Sequence, residues 1–194
     1  MTAKILGVGS SMRDNSFSTA TLKIGLDMAK KLGIETRLLD LHKTQIPMFY
    51  SQKVETDEIK QVKEAVKWAD AFILATPDYH GSMSGGMKNF LDYFWSEFAG
   101  KLFGYICASH EKGLTAMDQM RTAVRQCYGW SMPYGVSING EEDFENGKIQ
   151  NPQLQARLNM LSRDLAIYGE LIKNQFVKDL KSSASDTFAM QFRK

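Results

Sequence analysis

AKILGVGSSMRDNSFS, running from Ala3 to Ser18, is the stretch whose reading decides the fold. It opens with Ile5, Leu6 and Val8, a short apolar run long enough for one buried strand. The run breaks at Gly9 and gives way to Ser10, Ser11, Arg13, Asn15, Ser16 and Ser18, after which a helical pattern begins. A strand feeding hydroxyls, one arginine and a helix N-terminus is suited to holding a phosphate. Free backbone N–H groups point out of the helix start, the helix dipole favours an anion, and Arg13 adds a fork of donors. A plain helix cap at Asn15 or Ser16 is the simpler reading, but capping alone does not require Ser10, Ser11, Arg13 and Ser18 as well. Gly7-Val8-Gly9 begins like a dinucleotide fingerprint, yet Met12 stands where the third glycine belongs. No GK[ST] ending serves a triphosphate and magnesium. What remains suits a monophosphate held by hydroxyls and amides, without a metal.

Outward from this stretch, strand and helix patterns alternate. Residues 20–32 carry a helical stripe of Leu22, Leu26, Ala29 and Leu32 that ends at Gly33, and 34–41 read as a second strand. Residues 42–54 are irregular. A helix over 56–68, with Ile59, Val62 and Val66 on one face, precedes the continuous apolar run DAFILAT at 70–76, a strand covered on both faces. The pattern goes on as helix 84–98, strand 101–108, helix 115–126 and a fifth strand over 130–138, interrupted by Pro133 and Gly135. An acidic segment at 141–150, with a hairpin tip at Asn146-Gly147, leads to a last helix over 152–173. The expectation is one α/β domain over residues 1–180, a doubly wound five-stranded parallel sheet in three α/β/α layers, with a mobile tail at 181–194. Ligands of such sheets bind outside the carboxyl ends of the strands, at the switch point. The loops at 9–18, 77–83 and 109–113 all lie at that edge.

Bulk numbers narrow the class. The chain has 194 residues, 43% hydrophobic and 24% charged, which suits a single globular domain. A net charge of +2 without a basic block gives no reason to expect nucleic acid. No apolar run reaches the roughly 20 residues of a membrane span, and the first strand begins too early to leave room for a signal peptide. Cys107 and Cys127 have no partners at metal-ligand spacing, so they read as reduced structural thiols of a cytoplasmic protein.

The second loop, Pro77-Asp78-Tyr79-His80-Gly81-Ser82, ends a strand at a proline and turns through a glycine. Its rim offers amides, carbonyls and the Tyr79 face, a combination that fits a flat heterocycle with hydrogen-bonding edges. A well-formed turn with Ser84 capping the next helix is the bland alternative, and for Ser84 it is the preferred one. His42, His80 and His110 supply no zinc spacing, and Lys88 with Asp92 is an i,i+4 pair on a helix face.

S-x-R-x-x-S-x-S (Ser11, Arg13, Ser16, Ser18) and P-x-Y-H-G-S-x-S-G-x-x-K-N-x-x-D (Pro77 to Asp92) together resemble the NADPH-dependent FMN reductase family. The resemblance implies a flavodoxin-like fold. It implies that Ser11, Arg13, Ser16 and Ser18 hold the FMN phosphate, with Phe17 beside them. Pro77, Asp78, Tyr79, His80, Gly81 and Ser82 are then expected to line the isoalloxazine ring, largely through backbone groups. The third family loop is usually glycine-rich after a serine. Here Ser109-His110-Glu111-Lys112-Gly113 matches only at Ser109 and Gly113, and Ser109, His110 and Gly113 are the expected contacts.

The activity so implied is an FMN-dependent NAD(P)H oxidoreductase passing electrons to a small-molecule acceptor: a quinone, free flavin, azo compound or metal oxyanion. The flavin carries the hydride chemistry, so no catalytic acid–base residue is expected. A non-enzymatic electron carrier like flavodoxin is the alternative, although such carriers dock through a strongly acidic face. Two cysteines cannot hold the usual iron–sulfur cluster. No arginine is assigned to a 2′-phosphate, which leaves NADPH and NADH undistinguished. Phe90, Tyr93, Phe94 and Trp95 exceed what one core face needs and are expected to form a surface between copies in a homodimer or homotetramer.

Overall fold

β1 (Ile5–Gly9) sets the frame by its alternation. Ile5 faces a cluster with Leu22, Leu26, Leu158 and Leu161, while Leu6 and Val8 face the opposite cluster with Val62, Val66 and Phe90. A Cβ on Gly7 would stand 2.7 Å from Leu26 and 2.8 Å from Leu22, so glycine lets the first helix approach the strand closely. The computed structural model describes residues 3–50, 55–145 and 147–193.

The remaining elements are α1 (Phe17–Lys31), β2 (Thr36–Asp40), α2 (Asp57–Trp68), β3 (Ala71–Tyr79), β4 (Ser82–Met83), α3 (Gly85–Asp92), β5 (Leu102–Ala108) and α4 (Leu114–Gln126). They continue as β6 (Trp130–Ser131), β7 (Val136–Ile138), α5 (Gly140–Asp143), β8 (Phe144–Glu145), β9 (Lys148–Ile149) and α6 (Pro152–Lys181). The main sheet runs β2-β1-β3-β5-β6, all parallel, with β7 also pairing with β5. α1 and α6 cover one face, and α2, α3 and α4 the other. This is the expected three-layer doubly wound architecture, and it places a switch point between β1 and β3.

Several boundaries differ from the expectation, each for a physical reason. β3 continues through Pro77 to Tyr79 because it still pairs with β5 at Ala108 and with β4 at Met83 and Ser82, whereas β1 pairs no further than Gly9 with Ala75. The missing N–H of Pro77 therefore falls beyond that ladder. The helix expected over 84–98 stops at Asp92. Trp95 leaves helical geometry (φ −135°, ψ −93°) before a short 3-10 turn at Ser96–Phe98. Phe90, Phe94 and Phe98 pack inward, with Phe98 4.9 Å from Phe103 and Phe72 stacked on Phe103 at 4.5 Å. Of the four aromatics expected on a surface, two are thus core and Trp95 is the one left well exposed.

The fifth strand is split into β6 and β7. Leu102 to Ile106 on β5 is matched by Trp130 to Val136, and the two additional residues bulge around Pro133. Asn146 lies outside the described residues, but β8 and β9 on either side of it pair antiparallel. α6 runs to Lys181, and the tail expected to be mobile folds back on it. Phe192 stands 5.8 Å from Phe176 and 5.2 Å from Tyr128, Ala189 is buried, and Arg193 donates to the Asp179 carbonyl at 2.7 Å. Among the described residues no helix is long and apolar enough to cross a membrane.

Candidate cofactor site at the carboxyl edge of the sheet

Three loops meet where β1, β3 and β5 end. The first leaves β1 through Ser10, which is fully buried and donates from Oγ to the Ala75 carbonyl at 3.1 Å. Ser84 Oγ reaches Ser10 Oγ at 2.8 Å and also caps α3 by accepting from the Met87 N–H at 3.2 Å. One serine therefore ties the first loop to the second. Ser11 is nearly buried and its Oγ accepts from the Arg13 N–H at 3.3 Å. Ser16 is the N-cap of α1, accepting from the Thr19 N–H at 3.4 Å, and its Oγ lies 2.9 Å from that of Ser18. Ser16 caps the helix as one of its two sequence readings expects, and it also lines a cavity at the helix start.

The second loop is a hairpin. Asp78 pairs with Met83 and Tyr79 with Ser82 across a two-residue turn at His80 (φ 57°) and Gly81 (φ 73°). Positive φ at both positions is the turn geometry that follows the twist of paired strands. Gln119 of α4 holds it from below: Oε1 accepts from Ser82 Oγ at 2.8 Å and from the Met83 N–H at 3.3 Å.

In the third loop, Ser109 Oγ donates to Asp78 Oδ2 at 2.9 Å and accepts from the Glu111 N–H at 3.0 Å, joining the second and third loops. Lys112 and Gly113 both have positive φ, and Gly113 begins α4 against the Cys107 side chain. Burial, and then the charge of Asp78, pushes the Cys107 thiol up to about 12, so it stays protonated and inert near neutral pH.

Together the loops enclose a cavity of about 890 Å³. Ser11, Arg13, Ser16, Phe17, Pro77, Asp78, Tyr79, His80, Gly81, Ser109, His110 and Gly113 line it. Two expected residues do not. Ser18 is fully buried against Ser16, and Ser82 is turned away to Gln119. Both support the wall without forming it. Thr115 and Glu141 also line the cavity and escaped the sequence reading. Thr115, a hydroxyl in the first turn of a helix after a loop, repeats the signal of the first loop; Glu141 carries no such signal.

FMN suits this donor set. One end gathers Ser11, Ser16, the open first turn of α1 and the Arg13 cation, all chemistry for a phosphate. Beside them stands a wall of hairpin backbone with the part-exposed Tyr79 ring, 5.9 Å from the Arg13 guanidinium. Asp78 Oδ1 is buried with no hydrogen-bond partner among the described residues, an acceptor that a heterocycle N–H would satisfy.

A doubly wound parallel sheet with the loops after β1, β3 and β5 around one cavity at its carboxyl edge is a flavodoxin-like architecture. The sequence pattern described for NADPH-dependent FMN reductase matches residues 3–143, and the chain belongs to that family. It is 30% identical over 146 residues to an NADPH azoreductase of Bacillus sp. (strain OY1-2), covering 72% of this chain and 82% of that one. It is 32% identical over 165 residues to an FMN-dependent NADPH-azoreductase of Staphylococcus aureus (strain USA300), covering 76% and 86%. The fold is similar to that of FerB, a flavoenzyme NAD(P)H:(acceptor) oxidoreductase from Paracoccus denitrificans. That likeness has a TM-score of 0.74 at 16% identity and covers 87% of this chain and 98% of the other.

Proposed function

We propose that this chain binds FMN in the cavity at the carboxyl edge and uses NADPH to reduce a small acceptor. The observation that carries the reading is a single cavity lined by Ser11, Arg13 and Ser16 together with the Pro77 to Gly81 hairpin, in a chain of the NADPH-dependent FMN reductase family. Ser11, Ser16 and the N-terminus of α1 take the phosphate, and Arg13 balances its charge. The His80–Gly81 turn and Pro77 to Tyr79 give the ring a backbone wall, with Asp78 as acceptor at its edge. With the Ser109 and Glu111 N–H groups already bonded within the protein, the N–H groups of His110, Lys112 and Gly113 are the third-loop donors for negative charge that collects on reduction. FMN, when bound, supplies the hydride chemistry. The chain's part is to hold one ring face open to a second molecule. Net, NADPH gives up one hydride, and the acceptor takes two electrons and two protons, one of them drawn from solvent.

The two azoreductase relatives favour an azo compound, or a quinone of similar flat shape, over a free flavin or metal oxyanion. They equally favour an enzyme over an electron carrier. Met48 and Tyr50 are exposed, and with Trp95 they lie beside α3, a face suited to a homodimer or homotetramer contact. Cys107 and Cys127 are free, buried thiols, in keeping with a reducing cytoplasmic compartment.

With one ring face to share, donor and acceptor must take turns. Initial rates of NADPH oxidation at several fixed concentrations of an azo dye or quinone are expected to give parallel double-reciprocal lines. Intersecting lines, with product inhibition showing a ternary complex, would mean that the acceptor has a place of its own.

A further inference from the structure

A second cavity of about 940 Å³ lies across the third loop from the first and shares Ser109, His110 and Leu114 with it. We propose that this cavity binds the adenosine 2′-phosphate half of NADPH, with Arg121, Arg157 and Lys112 recognising the phosphate. The inference rests on the reading above that NADPH delivers its nicotinamide to the first cavity. The rest of the dinucleotide must then leave past the rim, and this cavity begins at the shared rim residues.

Its cations are set for a doubly charged anion. Arg157 on α6 donates from Nε to the Gly135 carbonyl at 2.6 Å, and its guanidinium lies 5.3 Å from the Tyr134 ring centroid. Arg121 on α4 donates from one Nη to Asp118 at 2.6 Å and lies 5.3 Å from the Tyr105 ring centroid. Each guanidinium is held by one bond and one ring, and a guanidinium carries five N–H donors. Both forks are therefore fixed in place with donors to spare, the arrangement that suits phosphate better than a free lysine does. Lys112 adds a third cation from the loop between the two cavities.

Two carboxylates also line the cavity. Both Asp143 oxygens are taken, one by Asn151 Nδ2 at 2.7 Å and the other by the Asn139 N–H at 2.8 Å. Glu142 is exposed. Asp143 keeps its charge and Asp118 offsets Arg121, so the case for the phosphate rests on the placement of the Arg121 and Arg157 forks and not on an excess of positive charge. The first loop cannot fill this role, because Arg13, the only cation between Lys4 and Lys23, is already assigned to FMN.

Calorimetric titration of the FMN-loaded protein with 2′,5′-ADP and with 5′-AMP tests the site without turnover. A charge-assisted pair to the extra phosphate should make 2′,5′-ADP bind about tenfold tighter or more. Equal binding of the two would overturn the proposal. Arg121→Ser and Arg157→Ser should each lower the preference for NADPH over NADH in kcat/KM by about tenfold, through KM rather than kcat. A parallel rise in KM for both nicotinamides would show that the arginines shape the fold and not the phosphate site, and would also overturn it. Should either arginine variant fail to fold, Lys112→Asn carries the test, since asparagine accepts the positive φ of that position. It should narrow the preference in the same direction, and an unchanged preference would count against the site. A protein that binds 2′,5′-ADP tightly but oxidises neither nicotinamide would support the cavity and overturn the reading of the function.

Discussion

Arg13 sits between the last residue of a strand and the first turn of a helix, where the only negative charge close by on the chain is its neighbour Asp14. Asp14 faces the other way, with an oxygen 3.7 Å from His42 Nδ1. Arg13 is exposed, so its removal should leave the fold intact. Arg13→Ala is expected to weaken FMN binding roughly ten- to a hundredfold, the loss of ~1.5–3 kcal/mol that a charge-assisted bond contributes. Titrating apo-protein with FMN checks this, and riboflavin, lacking the phosphate, should be nearly indifferent. At this scale the serines were legible as a group but not in their separate roles. Ser11 and Ser16 reach the cavity, whereas Ser18 and Ser82 are spent on Ser16 and Gln119. Which way a hydroxyl turns depends on a partner from another element, and a local pattern does not contain that partner.

The β3–β4 hairpin is the element on which the proposed ring binding depends. Its shape rests on two residues at positive φ and on the Gln119 anchor. Nothing lies within 4 Å of a Cβ placed on Gly81, so space does not forbid a side chain there; the backbone angle does. Gly81→Val should strain the turn by ~1–3 kcal/mol and weaken FMN binding. Gln119→Leu, which leaves the Ser82 hydroxyl and the Met83 N–H without their acceptor, should act in the same direction. Tyr79→Phe keeps the aromatic face and should cost much less. FMN titration of the three variants checks the order; a bleached tyrosine variant beside a yellow glycine variant would assign recognition to the side chain. The hairpin was half visible in the sequence. Gly81 marks a turn, but Pro77 suggests that the strand has ended, whereas the strand goes on pairing with β5, Pro77 opposite Ala108, after β1 has stopped at Gly9. Gln119 lies 37 residues from Ser82, so no periodicity could reveal it.

On the scale of the whole molecule, order and layering were readable because apolar runs and helical stripes alternate along the chain. The docked tail was not, since the polar residues 182–186 conceal aromatics that find Phe176 and Tyr128 only after folding. At the opposite end of the sheet from the site, Lys101 donates to the Val66 carbonyl at 2.6 Å and lies 5.7 Å from the Phe72 ring. Burial, only partly offset by Asp70 and Glu97, pulls its ammonium from the usual 10.5 to about 8. Below pH 8 the lysine is charged in both states and its burial cost is fully present. From about 8 to 10.5 the unfolded chain holds a proton that the folded chain has released, so this group's contribution to stability rises with pH. Urea unfolding across that window should show wild type gaining on Lys101→Met by at most about 1.4 kcal/mol per pH unit. Parallel pH profiles would show that Lys101 is not so shifted. The central claim is that the loops after β1, β3 and β5 make one site in which NADPH reduces bound FMN. It is tested most directly by mixing the FMN-loaded protein with NADPH without oxygen and following the flavin absorbance. Bleaching within the mixing experiment, with colour restored by an azo dye or quinone, is the expected result; a flavin that binds yet stays yellow with excess NADPH would contradict it.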